Sequence, residues 1–157
     1  MHDSKFIVDI TRQPLDIREP RTRGPLSPTT LEKFIEHADA GAHNWFHGVT
    51  RRTTGERITE TLSYESHHSM AIKELARLCV TAIENFKLHR VVLVHRIGDV
   101  PVGQASVIVG CSAAHRIETF AALPWIMDQL KRDVPIWKRE TFINGTQQWM
   151  HPTEGGS

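Results

Sequence analysis

The sequence predicts a single α+β domain in which a mainly antiparallel sheet packs against helices. Short β-branched runs recur along the chain, and turn residues separate several of them, as in strands paired in hairpins. Two segments, 70–87 and 114–132, have the pattern of helices. Strands paired in hairpins and interrupted by helices are typical of the α+β class. We assign residues 1–157 to one domain, with 1–28 partly irregular and 151–157 as a flexible tail.

The first part of the chain predicts a strand and a short helix. The β-branched run KFIVDI begins at Lys5 and indicates a strand. The next stretch contains four prolines and Gly24, which favour irregular structure. Thr29 precedes Glu32 by three residues, which is the spacing of a capping box. A short helix is therefore expected to begin there.

Two strands are predicted on either side of a loop at Gly55. The first strand has the sequence GAHNWFHGV, and the second has the sequence ITETLSY, in which β-branched residues alternate with others. The loop between them reads TRRTTGER and turns at Gly55. We expect these two strands to pair as a hairpin.

The middle of the chain predicts a helix followed by two central strands. Apolar residues recur at spacings of three and four between 70 and 87, the stripe of an amphipathic helix that faces a core. Two β-branched runs follow, RVVLVHRIG and ASVIVGC, and the turn residues of DVPVGQ separate them. Their composition favours buried strands.

The last third predicts a helix and a hairpin. Ser112 is suited to cap the helix 114–132. The sequence WKRETFI then precedes an Asn-Gly pair at 144–145, and TQQWM follows it, the pattern of a strand, a two-residue turn and a return strand. A two-residue turn would set Glu140 opposite Trp149.

Composition excludes several classes of protein. The net charge of +1 gives no general attraction to nucleic acid or to an anionic membrane. No stretch approaches the roughly 20 apolar residues of a membrane span, and the first residues lack the pattern of a signal peptide. Cys79 and Cys111 are too few for a disulfide scaffold, which favours a reducing compartment. We expect a cytoplasmic protein that binds neither nucleic acid nor membrane.

Lys131 occupies an unusual position in the second predicted helix. At about 100° per residue it falls in the middle of an apolar face, which is formed by Ile117, Phe120, Pro124, Met127 and Leu130. A lysine in the last turn of a helix commonly complements the helix dipole and extends to water, or pairs with a residue such as Asp128. Alternatively, a half-buried amine near other cations has a lowered pKa and acts as acid, base or nucleophile.

The strand that follows this helix supports the second interpretation. Pro135 ends the helix, so that Lys138 can return close to Lys131. Alternation places Lys138, Glu140 and Phe142 on one face of the strand, and Trp137, Arg139 and Thr141 on the other. The other interpretation of these cations is a solvated strand edge that opposes aggregation.

Other cations are suited to an anion. His115 and Arg116 are predicted in the first turn of the second helix, where free backbone N–H groups favour a negative ligand. Arg51 and Arg52 lie in the predicted loop near Gly55. Each group could equally be a solvated bystander, and together they predict an anionic substrate.

Other kinds of site are excluded by spacing. His43 and His47 would lie about 13 Å apart on a strand, too far to share a zinc ion. No glycine-rich phosphate loop is present, and neither cysteine has a basic neighbour that would activate its thiol. We therefore expect no metal and no cofactor.

At this point the motifs resemble a known family, the large catalytic subunit of molybdopterin synthase. The resemblance is carried by HRIG, AHR, LK and PIWKRE in this order and spacing, and by WFHGVTRRTTGERITETLSYE before them. It covers residues from about 40 to 150. It implies an α/β hammerhead fold and a sulfurtransferase that converts cyclic pyranopterin monophosphate into the dithiolene of molybdopterin, within molybdenum cofactor biosynthesis.

The resemblance also implies partners. The sulfur would come from a small ubiquitin-like subunit that ends in a Gly-Gly thiocarboxylate. Two large subunits would form a central homodimer, with one small subunit at each end of a heterotetramer. The site residues implied are the catalytic Lys131 and Lys138, and a substrate-binding set of Val49, Thr50, Arg51, His115, Arg116, Lys131, Lys138, Arg139 and Glu140.

The chain departs from the family pattern at several positions. Pro124 predicts a kink in the second helix. The sequence YESH replaces the common YEAY, and no arginine after Trp149 matches the family's C-terminal phosphate ligand. A non-catalytic homologue that binds an anion or nucleotide, or that acts as a scaffold, therefore stays open as the alternative.

Overall fold

The chain forms two β-sheets and three helices within the residues that the structure describes. A computed structural model describes residues 4–21 and 29–150. The strands are β1 (Phe6–Thr11), β2 (Ala42–Val49), β3 (Thr53–Thr54), β4 (Arg57–Ser66), β5 (Arg90–Arg96), β6 (Gly98–Pro101), β7 (Ala105–Ala113), β8 (Ile136–Phe142) and β9 (Gln147–Met150). The helices are α1 (Leu31–Phe34), α2 (His68–Phe86) and α3 (Arg116–Asp133).

The two sheets share the mainly antiparallel character that the sequence predicted. The first sheet has the order β1-β5-β7-β2, in which only β1 and β5 are parallel. The second sheet runs β3-β4-β8-β9, and β6 also pairs with β4. The α+β prediction is therefore confirmed. No helix in the described ranges is both long and apolar enough to cross a membrane.

The first sheet is buried on both faces. Val91 and Leu93 join the core under α2 and α3, whereas Val92 and Val94 pack against α1 on the other face. This two-sided burial explains why β5 is an unbroken apolar run rather than an alternating one. Each such side chain contributes about 1.5–3 kcal/mol when fully buried.

The predicted hairpin between the second and third strands is wrong. β2 pairs with β7, and β4 pairs with β6 and β8 in the other sheet. A close approach fixes the β2 register, because Trp45 lies directly opposite Gly110 and its ring occupies the space of a side chain there. The loop at Gly55 instead closes the two-residue β3 onto the start of β4.

Two predicted helix caps are displaced. Thr30, not Thr29, is the N-cap of α1, and its hydroxyl accepts a hydrogen bond from the Lys33 amide at 3.0 Å. Ser112 caps no helix, because β7 continues through it while pairing with both neighbouring strands. His115 is the N-cap of α3, without a side-chain hydrogen bond. The predicted helix 70–87 is confirmed as α2.

The last hairpin is shifted by one residue from its predicted register. Glu140 lies opposite Gln148, and Trp149 lies opposite Arg139. The Phe142 amide donates to the Thr146 carbonyl at 2.9 Å, so three residues rather than two form the loop. The last of them is Gly145, whose φ of +85° is favourable for glycine. The tail 151–157 and residues 1–3 and 22–28 of the predicted irregular segment lie outside the described residues.

Candidate active site

A cavity of about 480 Å³ lies between the two sheets and the C-terminal half of α3. Both sheets contribute to its wall, through β2, β5 and β7 from one and β4, β8 and β9 from the other. Apolar side chains such as Leu62, Met127 and Ile136 line it together with charged ones. A half-enclosed space of this size and mixed lining is suited to a small polar ligand.

Three cations from separate parts of the chain border this cavity. We call Arg51, Lys131 and Lys138 the cationic cluster. Arg51 follows β2, Lys131 lies in the last turn of α3, and Lys138 lies in β8. The tight reversal between α3 and β8 returns the chain to the cavity within a few residues, as the sequence predicted.

The pKa of Lys138 is lowered from its ordinary value. Burial of the amine is the largest cause, and the positive charges of Lys131 and Arg51 add to it. The carboxylate of Glu140 opposes the shift. A lysine with a lowered pKa has a larger fraction of neutral amine at physiological pH, which makes it a better base or nucleophile.

Glu140 is held inside the site by two hydroxyl groups. Its side chain is 4% exposed, and its Oε1 accepts hydrogen bonds from Thr54 Oγ1 at 2.6 Å and from Thr59 Oγ1 at 2.5 Å. These bonds fix a negative charge two residues from Lys138 on the same strand face. Alternation had predicted that Lys138 and Glu140 share this face, and both line the cavity.

The apolar face predicted for the second helix is wrong, although Lys131 still borders the cavity. Ile117 and Phe120 are 74% and 60% exposed. The buried face of α3 is rotated by about 100° and consists of Thr119, Ala122, Ile126 and Leu130. Lys131 lies about 100° around the helix from Leu130 and therefore outside the buried face, half-buried beside Met127 at the cavity.

His115 and Arg116 lie away from the cavity. Both are exposed at the N-terminal end of α3, whereas Lys131 lies at the other end. Fifteen residues of helix separate Arg116 from Lys131, a distance of about 22 Å. A single chain therefore does not bring these two groups of cations together.

Of the remaining predicted site residues, one lines the cavity and two do not. Val49 lines the cavity. Thr50 is buried, and its hydroxyl donates to the Val100 carbonyl at 3.1 Å. Arg139 lies on the opposite face of β8 from the cavity, with its guanidinium 5.2 Å from the centre of the Trp149 ring.

Sequence reasoning missed several polar residues that line the cavity, and three of them lie together. We call Tyr64, His95 and Ser106 the cavity floor. The Tyr64 hydroxyl lies 3.2 Å from Ser106 Oγ, and the two aromatic rings of the floor meet edge to face at 5.0 Å. The sequence did contain a signal for His95, which lies inside the apolar run of β5. A polar residue in such a buried run is uncommon and often indicates a functional role.

Neither cysteine takes part in the site. Cys79 and Cys111 are fully buried, and burial raises the pKa of the Cys111 thiol to about 12. Such thiols are poor nucleophiles. In the described part of the chain, no three histidine, cysteine or acidic side chains come together as metal ligands.

Comparison with known proteins places this chain in a family. Residues 21–133 match the family model described as MoaE protein. A molybdopterin synthase catalytic subunit from Emericella nidulans is 39% identical over 129 residues, which cover 82% of this chain and 66% of the relative. One from Dictyostelium discoideum is 37% identical over 120 residues, which cover 74% of this chain and 76% of that relative. The chain spans about two thirds of the length of the Emericella relative.

Solved structures agree in fold. Molybdopterin synthase from Staphylococcus aureus superposes with a TM-score of 0.73 at 26% identity, covering 96% of this chain and 98% of that one. A complex of subunits 1 and 2 of the molybdopterin-converting factor from Helicobacter pylori superposes with a TM-score of 0.68 at 20% identity, over 95% and 92% of the two chains. The chain therefore belongs to the MoaE family, the family of the molybdopterin synthase catalytic subunit.

Proposed function

We propose that this chain is the catalytic subunit of a molybdopterin synthase. It transfers sulfur from the C-terminal thiocarboxylate of a small ubiquitin-like partner to cyclic pyranopterin monophosphate, and so forms the dithiolene of molybdopterin. The observation that carries this proposal is the cationic cluster, in which two lysines and an arginine border one cavity of a MoaE-family chain.

The cationic cluster suits the charges of both reactants. Charge-assisted hydrogen bonds from Arg51 to phosphate oxygens would be strong in a half-enclosed site. Each sulfur transfer converts the partner's thiocarboxylate into a carboxylate, with an oxygen supplied by water. Lys131 would stabilise that carboxylate. Lys138, whose pKa is lowered, would exchange protons with the reacting groups or attack as a transient nucleophile.

Glu140 tunes this chemistry without leaving its hydrogen bonds to Thr54 and Thr59. Its charge limits how far the pKa of Lys138 falls. The pair therefore sets the balance between the neutral and the charged amine of Lys138. We retain Glu140 in the substrate-binding set for this reason.

A small partner subunit is supported by the two-subunit complex from Helicobacter pylori. The open side of the cavity carries apolar groups that an incoming peptide could cover, since Phe46 is 38% and Val49 is 47% exposed. A Gly-Gly tail has no side chains to obstruct its entry. We propose that this tail enters beside Val49 and reaches Lys131.

A second copy of the chain would complete the site. The exposed Ile117 and Phe120 lie beside His115 and Arg116 on the N-terminal half of α3. Burial of this apolar pair in a homodimer would bring the two cations of one copy towards the cavity of the other. This arrangement supports the family's heterotetramer, with a small subunit at each end.

Thr50 and Arg139 remain proposed as substrate-binding residues with indirect roles. Both backbone polar groups of Thr50 are already bonded, to Gln104 and Gly103. Thr50 would therefore hold its neighbours Val49 and Arg51 in place. Arg139 would need the approach of a second copy to meet substrate.

The two buried, free thiols are suited to a reducing compartment, and we propose a cytoplasmic location.

Reconstitution tests the function directly. Purified chain is mixed with a thiocarboxylated small subunit and cyclic pyranopterin monophosphate, and molybdopterin is measured after oxidation to its fluorescent derivative. The matched control uses the same small subunit with an ordinary carboxylate terminus. Product that depends on the thiocarboxylate supports the proposal. Precursor binding without conversion would instead indicate the anion-binding or scaffold alternative.

A further inference from the structure

The cavity floor contains a histidine for which sulfur transfer supplies no role. His95 is 4% exposed, lies near the end of β5 and lines the same cavity as the cationic cluster. Its position in a buried strand means that backbone pairing holds it in place on both sides. A buried polar ring at the wall of a substrate cavity is suited to recognition.

The hydrogen bonding of His95 fixes which ring nitrogen carries the proton. Nδ1 lies 2.7 Å from the carbonyl oxygen of Arg96. A carbonyl oxygen only accepts, so Nδ1 carries the hydrogen. Burial lowers the pKa of His95 to about 4, and the ring is therefore neutral at physiological pH. Nε2 consequently has a lone pair and no hydrogen, which makes it an acceptor.

The rest of the cavity floor leaves this acceptor unused. Among the described residues, no group donates a hydrogen bond to Nε2 of His95. The Tyr64 hydroxyl donates to Ser106 Oγ at 3.2 Å, and Ser106 Oγ in turn donates to the Gly48 carbonyl at 3.3 Å. The hydroxyl hydrogens of the floor are thereby occupied. The cavity thus offers donors from the cationic cluster and acceptors from its floor.

We propose that Nε2 of His95 accepts a hydrogen bond from an N–H group of the substrate's pterin ring and thereby selects a nitrogen heterocycle that carries such a donor. This inference rests on the proposed function, because it assigns the ring-binding part of the same site. A pterin carries amide-type and amino N–H groups, whereas its phosphate needs cations. The two groups of polar atoms in the cavity match these two ends.

A pair of substitutions separates recognition from structural support. In His95→Asn the amide nitrogen lies where Nδ1 was, so the bond to the Arg96 carbonyl is kept and the acceptor at Nε2 is lost. In His95→Gln the amide oxygen lies where Nε2 was, so the acceptor is kept. We expect the affinity for cyclic pyranopterin monophosphate, measured by calorimetry, to fall about 10- to 100-fold in His95→Asn. His95→Gln should stay within about fivefold of the parent.

A purely structural histidine predicts the opposite order, with His95→Asn close to the parent and His95→Gln impaired. Inorganic phosphate serves as the matched probe, because it lacks a heterocycle and is expected to bind at the cationic cluster. Its inhibition constant for molybdopterin formation should change less than twofold in either variant. Equal precursor affinity in parent and His95→Asn would overturn the inference. It would leave the proposed function standing, because the parent would still make molybdopterin.

A ligand-side experiment covers the case in which neither variant folds. The parent protein is titrated with tetrahydropterin and with analogues methylated at ring N3 or dimethylated at the 2-amino nitrogen, each of which removes a donor. At least one analogue should bind 10-fold or more weakly. Equal binding of all three would overturn the inference. A parent that converts no precursor in the reconstitution would instead refute the proposed function.

Discussion

Glu140 and Thr59 form a 2.5 Å hydrogen bond that joins β8 to β4 beside the cavity. The carboxylate is thereby held in place next to Lys138. Its negative charge opposes the lowering of the Lys138 pKa. Removing the charge while keeping the shape, in Glu140→Gln, should lower the pKa of Lys138 further. The limb of the pH profile of kcat/KM that reports this amine should then move to lower pH.

The matched control for this change is Thr54→Val, which removes one hydrogen bond to Glu140 and keeps its charge. Its pH profile should remain closer to that of the parent than the profile of Glu140→Gln does. A Glu140→Gln profile that does not move, or that moves to higher pH, would contradict the electrostatic coupling.

Lys131 and Lys138 should each be required for conversion. Lys131→Ala and Lys138→Ala remove amines that border the cavity and are only half-buried, so the fold should remain intact. We expect molybdopterin formation to fall by orders of magnitude in both, measured by single-turnover reconstitution with thiocarboxylated partner. Lys73→Ala, an exposed lysine on α2, is the control and should retain parental activity. Near-parental conversion by Lys131→Ala would remove its catalytic role.

Arg116 should act on the cavity of a second copy. Arg116→Ala is expected to raise the KM for the precursor more than it lowers kcat, because it removes a phosphate contact. A mixture of Arg116→Ala and Lys131→Ala chains should then recover activity, since a mixed dimer contains one intact site. If both residues served the cavity of their own chain, every site in that mixed dimer would carry one defect and no activity would return.

Gly110 should tolerate no side chain while Trp45 faces it. A Cβ at Gly110 would lie 2.3 Å from the nearest atom of the Trp45 ring. We expect Gly110→Ala to lower the free energy of unfolding by about 1–3 kcal/mol, measured by urea denaturation. The double variant Gly110→Ala, Trp45→Leu should lose less stability than the sum of the two single changes. Strict additivity would indicate that the two residues are not in conflict.

His95 should make the fold sensitive to acid. Its pKa is about 4 in the folded chain and about 6.5 in an unfolded one, so the unfolded state binds more protons between these values. The stability that neutral His95 contributes is therefore present above pH 6.5 and is lost as the pH falls towards 4, by up to about 3 kcal/mol. The urea concentration at the midpoint of unfolding should therefore decrease in the parent as the pH is lowered from 6.5 to 4. The slope should be smaller in His95→Gln, which has no such group.

The site was predictable where it depended on local pattern. Alternation along β8 placed Lys138 and Glu140 on the inner face, and the short reversal after α3 placed Lys131 beside them. Pairing partners were not predictable in the same way. The sequence of β2 is compatible with several neighbours, and the interaction of Trp45 with Gly110 is visible only once β7 is in place.

The errors have physical causes that lie outside the local sequence pattern. Apolar residues of α3 were assigned to the core from their hydrophobicity, yet Ile117 and Phe120 are exposed and the core is reached by Thr119 and Ala122 instead. Ser112 has a good capping side chain, but pairing on both sides extends β7 past it. In both cases contacts with distant parts of the chain determined the structure. His95 was missed because the pattern of a strand does not show which cavity its residues line.

The inaccessibility of Cys79 and Cys111 has a consequence for a protein that handles sulfur. An enzyme without a reachable thiol cannot store the transferred atom on its own chain, nor can it be poisoned by forming a persulfide or a mixed disulfide. Thiol-directed reagents would then spare the cysteines of this subunit and act on its sulfur donor. The vulnerability of the pathway to oxidative stress would accordingly reside in the carrier.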